Sequence, residues 1–166
     1  MGAGWPKMGS DDRAAGHWVD AAPFRAQLRH LMAVGGLGSA DVATLAGISP
    51  GLAGRLLHGH RGRPLRRISP DTAHRLIQLT GPSVRSLSYI VVPTGMARLQ
   101  LRRLQRMDWT LSTIADRIGV TTVELDDLVG GAETCTARLT VRLTALARAE
   151  LAAAEAARPA RLSDAA

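Results

Sequence analysis

Two stretches of the chain spell nearly the same pattern 72 residues apart, and that repetition narrows the folds open to it. ADVATLAGISPGLAGRLLHG (Ala40–Gly59) lies over STIADRIGVTTVELDDLVGG (Ser112–Gly131). Ala43 falls on Ala115, Gly47 on Gly119, Ile48 on Val120, Ser49 on Thr121, Ala53 on Leu125, Leu56 on Leu128 and Gly59 on Gly131. The flanks agree as well. FRAQLRHL (Phe24–Leu31) lies over ARLQLRRL (Ala97–Leu104) with one residue slipped, and RLIQL (Arg75–Leu79) lies over RLTAL (Arg142–Leu146). At this last match the spacing has shrunk to 67, so the second copy has lost five residues, and they come from the region holding Arg61-Gly62-Arg63-Pro64.

Each copy predicts two helices joined by a tight turn. Ala43 and Ala115 are small enough for the helices to pack closely. Gly47 and Gly119 sit where the turn needs a left-handed backbone. Ser49 and Thr121 can cap the following helix by accepting from its free amides. Ile48, Ala53 and Leu56, and their counterparts Val120, Leu125 and Leu128, fall on the face that must be apolar. The expected fold class is all-α: two tandem helix-turn-helix repeats joined by a short extended linker, with loose N- and C-terminal ends. The expected boundaries are a flexible segment at 1–17, a first domain at 18–85, a linker at 86–93, a second domain at 94–151 and a flexible tail at 152–166. SLSYIVVP (Ser86–Pro93) is the one β-like stretch, and Pro159 is expected to stop any helix that reaches it.

The 166 residues suffice for one ordinary core or two very small ones. Aromatics make up 3% of the chain, so the core must rest on Leu, Ile, Val and Ala. Trp18 and Trp109 are expected to pack in it or between the repeats. No run approaches the ~18 apolar residues of a membrane span, and the N-terminus lacks signal-peptide order. Cys135 is the single cysteine, which rules out an internal disulfide and fits a reducing cytoplasm. No cofactor is expected. His58, His60 and His74 lack a nearby cysteine and fall in or beside a loop, a poor metal site, and no nucleotide loop or activated nucleophile is present. These absences argue against an enzyme.

Charge separates the two copies. Residues 1–93 hold 11 basic and 5 acidic side chains, whereas residues 94–166 hold 10 and 9. Of the 21 basic residues only Lys7 is lysine, as a GC-rich genome would favour, so distribution carries more information than the total. The first half is therefore the expected polyanion contact. HGHRGRPLRR (His58–Arg67) concentrates its basic side chains directly after the first repeat's second helix.

The pattern resembles the DNA-binding domains of lambda-repressor-like proteins, and of LacI-type regulators in particular. There a recognition helix ending in Leu-x-Gly leads through a loop to a helix with a Ser-Pro-Glu-Thr type cap, and ISPDTAHRLIQL (Ile68–Leu79) fits that opening. The layout, with VPTGMARLQLRRLQRMDW (Val92–Trp109) leading the second copy, is similar to small tandem regulators of actinobacteria and their phages. The resemblance implies a recognition helix at about Pro50–His58, with Ser49, Pro50, Gly51, Gly54 and Arg55 facing outward. Of these, Arg55 alone can make a bidentate contact to guanine. Arg61-Gly62-Arg63-Pro64 is similar to the core of an AT-hook, which implies an extended segment in the minor groove, where negative potential draws arginine. Arg66 and Arg67 would reach flanking phosphates, with His58 and His60 assisting when protonated.

The second recognition helix, TVELDDLV (Thr122–Val129), carries Glu124, Asp126 and Asp127 where a polyanion would repel them. These three are expected to contact a protein instead, either another copy or a different chain. A basic face at Arg98, Arg102, Arg103 and Arg106 leaves backbone contact by the second copy open. Double-stranded DNA is the expected partner and the nucleoid the expected location, with a transcription regulator as the leading reading. A nucleoid-associated architectural protein with little sequence preference, and an adaptor or anti-repressor keeping the fold without DNA contact, are the alternatives.

Overall fold

The structure is a computed structural model that describes residues 18–163, with side chains to residue 157. It is mainly α-helical, but each half also contains a small antiparallel sheet. The first half runs β1 (Val19–Asp20), α1 (Ala22–Gly35), α2 (Ser39–Ala46), α3 (Pro50–His58), β2 (Arg67–Ile68), α4 (Pro70–Ile77) and α5 (Gly81–Ser86). The second runs β3 (Val91–Pro93), α6 (Gly95–Gln105), α7 (Leu111–Ile118), α8 (Thr122–Gly130), β4 (Thr134–Thr136) and α9 (Ala137–Ser163). Among the described residues no helix is long and apolar enough to cross a membrane. The expected loose segment at 1–17 lies outside the described residues.

The two halves have separate cores. Leu28, Leu31, Val42, Leu56 and Leu76 are fully buried in one, and Leu104, Ile114, Leu125, Leu128 and Leu143 in the other. Ala43 and Ala115 are buried where α2 meets α3 and α7 meets α8. Gly47 and Gly119 close α2 and α7 with φ of 65° and 66°, in the left-handed region that a side chain disfavours. Ser49 and Thr121 then cap the next helices, accepting from the amides of Leu52 and Glu124.

Backbone pairing follows the same plan in both halves. Val19 pairs with Ile68 and Asp20 with Arg67, while Val91–Pro93 pair with Thr134–Thr136. The stretch expected as a linker at 86–93 thus ends in a strand of the second half, and the expected all-α class is corrected to mainly α. Strands of two or three residues are too short for alternation to reveal them. An arginine clamp also recurs. Arg25 donates from Nε to the Leu56 carbonyl and from Nη2 to that of Leu65, both at 2.8 Å. Arg98 donates to Leu128 at 2.8 Å and to Ala132 at 2.7 Å. Each guanidinium ties the end of the third helix to the chain returning toward the sheet, with bonds in which the charged donor counts for more than a neutral one.

The halves differ after the second strand. Thr80-Gly81-Pro82 ends α4 and begins α5, because Pro82 cannot continue an α-helical hydrogen-bond ladder. In the second half Ala147-Arg148-Ala149 stand in their place, all good helix formers, and the helix runs on as α9. It also passes Pro159, where a stop was expected. α9 packs against α6 of its own half and against α2 of the first, which brings the two cores together. At that seam Arg138 and Arg142 both donate to the Gly36 carbonyl at the end of α1, at 3.0 and 2.7 Å. Burial lowers the Arg142 pKa, with a further contribution from the neighbouring Arg138 charge.

Candidate nucleic-acid interface

α3 turns Ala53, Leu56 and Leu57 into the first core and leaves Ser49, Gly51, Arg55 and His58 exposed, with Pro50 and Gly54 half-buried. A Cβ built at Gly51 or Gly54 would meet nothing within 4 Å. Nothing inside the protein requires glycine at either place, although each costs the helix about 1 kcal/mol relative to alanine. Two residues three apart on one helix face thus form a bare strip that another molecule's backbone could approach closely.

The chain after α3 folds back at once. Gly59 has φ 79°, and a Cβ there would collide with the carbonyl oxygen of Arg63. His60 and Arg63 exchange two backbone bonds, His60 N–H to the Arg63 carbonyl at 2.8 Å and Arg63 N–H to that of His60 at 3.0 Å. Between them Arg61 and Gly62 have φ of 51° and 76°. Two successive positive φ values are those of a type I′ hairpin turn. The extended segment implied by the AT-hook likeness is therefore corrected: Arg61-Gly62-Arg63 is a closed turn. Gly62 makes it accessible, and Arg61 occupies a conformation that non-glycine residues rarely adopt. Residues His60–Pro64 are also the five that the second half lacks, since the clamp's second acceptor is Leu65 in one half and Ala132 in the other. The turn is an insertion into a shared framework.

Arg61, Gly62, Arg63 and Pro64 are all exposed, as are His60, Arg66 and Arg67. The one ion pair among the described residues joins Arg75 to Asp71 at 2.9 Å. Arg55, Arg61, Arg63, Arg66 and Arg67 are therefore exposed on α3, the turn, and the start of β2 with the residue before it, and none makes an ion pair among the described residues.

In α8, Val123, Asp126 and Asp127 replace Gly51, Gly54 and Arg55. All three are exposed. Glu124 is already engaged, because its Oε2 accepts from the Thr121 amide at 2.9 Å and hydroxyl at 3.0 Å in a capping box. It holds the helix start in place, which leaves Asp126 and Asp127 as the acids free for a partner. Trp109 packs on the second core as expected, but Trp18 is 62% exposed beside α3 rather than packed in a core or between the repeats. The clamps of Arg25 and Arg98 have a sequence sign only in the aligned arginines of FRAQLRHL and ARLQLRRL. No protein-family model, curated protein or solved structure matches the chain.

Proposed function

We propose that the chain is a double-stranded DNA-binding protein built from two helix-turn-helix units, and that it acts as a transcription regulator. In this reading α3 enters the major groove, with Arg55 as the base-reading side chain. The His60–Pro64 turn sets Arg61 and Arg63 at the neighbouring minor groove, and Arg66 and Arg67 meet phosphates. The observation that carries it is the arginine cluster, without an ion pair among the described residues, beside a helix whose outer face has two glycines with open space in front of them. Phosphate neutralisation by these arginines would release counterions and make affinity fall with salt. The proposed second unit contributes rigidity and, through Asp126 and Asp127, contact with a protein, either a second copy or another chain.

A low-specificity architectural role is the second reading, favoured by the same glycines, because a glycine face reads no base. The test is fluorescence anisotropy with the full chain, using labelled duplex and unlabelled competitors enriched from random sequence or left random. Salt-sensitive binding with preference for enriched sites supports the regulator. Equal competition supports the architectural role, and absence of binding at low salt removes both.

A further inference from the structure

We propose that Trp18 belongs to the DNA-contacting surface, where it forms with Arg55 and Arg67 a cleft for one deoxyribose-phosphate unit of the bound strand. The inference rests on the DNA-binding reading and adds to it a subsite that shares Arg55 with α3. Pairing of Val19 with Ile68 fixes the backbone of Trp18 at the open end of the β1–β2 ladder, and the bond from Ala21 N–H to the Arg66 carbonyl, 2.9 Å, extends that ladder. Side chains alternate along a strand. Val19 packs on the first core, Asp20 is exposed, and Trp18, just before the strand, lies at the edge of that core with 62% of its surface exposed.

The indole borders a cavity of about 220 Å³ whose other exposed residues include Arg55 and Arg67 and whose apolar lining is Leu52, Leu65 and Ile68. Leu52 and Leu65 are half-buried and Ile68 is buried, so the lining is a continuation of the core rather than a loose surface patch. Asp20 stands across from Arg67 in the ladder, but its Oδ1 accepts from the Ala22 amide at 3.0 Å and makes no ion pair with the guanidinium. A mostly apolar recess with Ser69 and Thr72 as its polar lining, beside an indole and two cations that make no ion pair among the described residues, matches a sugar packed on carbon with its phosphate held at the rim. Both cations already belong to the cluster around α3, so a strand lying along that helix would pass over the recess. An exposed indole is costly to leave in water, and covering it with a sugar ring recovers part of that cost.

The experiment uses full-length chains that keep one tryptophan each, Trp18 alone (Trp5→Phe, Trp109→Phe) or Trp109 alone (Trp5→Phe, Trp18→Phe), titrated with a duplex while anisotropy of its label reports binding. We expect the emission of Trp18 to shift or quench in step with binding, and that of Trp109 to stay constant. Trp18→Ala should weaken duplex binding by on the order of tenfold, Trp18→Phe by less, and neither should change the slope of log K against log salt, because no charge is lost. Arg67→Ala should lower that slope by about 0.9. A duplex that binds with no change in Trp18 emission overturns the proposal, as does a Trp18→Ala variant of unchanged affinity. Weakening with a lowered melting temperature and no emission change assigns Trp18 to the fold and equally overturns it. If no variant binds duplex at all, the DNA-binding reading itself fails, an outcome the anisotropy channel separates from the others.

Discussion

Arg142 bridges the two halves of the molecule to Gly36, donating from Nη2 to that residue's carbonyl at 2.7 Å while Nη1 donates to Gly119 at 3.0 Å. Its counterpart in the first half, Arg75, makes only the local version of this contact, to the Gly47 carbonyl at 2.8 Å, and pairs with Asp71. Where Asp71 stands in the first half the second has Arg138, so Arg142 has no such acidic partner one turn before it, and Arg138 and Arg142 both reach Gly36. Corresponding arginines thus make a local contact in one half and the seam between halves in the other. Arg142→Ala should destabilise the chain by about 1–2 kcal/mol, since the carbonyl it leaves is partly reached by water. Arg142→Lys should not restore the loss, because one ammonium cannot serve two carbonyls in fixed directions as a guanidinium does. Thermal unfolding of the three proteins tests this.

Asp41 faces the same seam, near Arg142 and Arg138, and its carboxylate accepts from the Gly38 amide at 2.7 Å. Burial raises its pKa above the ordinary 3.8 despite that bond and the two arginine charges. A raised folded value means the folded state holds the proton more tightly. The associated stability is complete below the ordinary value and is lost as pH rises through the raised one. Melting temperatures of wild type and Asp41→Asn, followed from about pH 3.5 upward, should show that loss in wild type only.

Gly59→Ala should open the turn, because it combines a collision with the Arg63 carbonyl oxygen and an unfavourable positive φ. We expect a stability loss of about 1–2 kcal/mol. Gly51→Ala and Gly54→Ala have the opposite sign. With open space at both positions, each should stabilise α3 by up to about 1 kcal/mol and still weaken duplex binding if the bare strip lies against DNA. Urea denaturation together with binding anisotropy reads both effects, and a stabilised variant of undiminished affinity would show that the glycines serve no contact.

Much of this framework was legible in the chain because it is written twice. Ala43 with Ala115 and Gly47 with Gly119 mark close packing and a left-handed turn, and local chemistry fixes both. The sheets were hidden, since Val19–Asp20 and Arg67–Ile68 are too short to show a period and pair only across a long stretch of chain, which the clamp of Arg25 also spans. The continuous α9 could have been read from Ala147-Arg148-Ala149 opposite Thr80-Gly81-Pro82. The candidate site was legible in composition but not in shape. Arginines at 61 and 63 are plain in the sequence, whereas the turn they sit on depends on Gly59 meeting Arg63, a contact between residues that composition cannot place. Trp18 departs from the expected packing because it lies just before a two-residue strand that composition does not reveal, at the edge of the core and not within it.

The most direct test of the central claim is the salt dependence of duplex binding by wild type and by the Arg61→Ala, Arg63→Ala double variant, measured by anisotropy on one duplex. Salt-sensitive binding is expected in wild type, and in the variant a loss of about 1–3 kcal/mol per groove contact with a slope smaller by up to about 1.8. Identical affinity and slope in the two proteins, or binding abolished by substitutions in α8 but not by these, would contradict it.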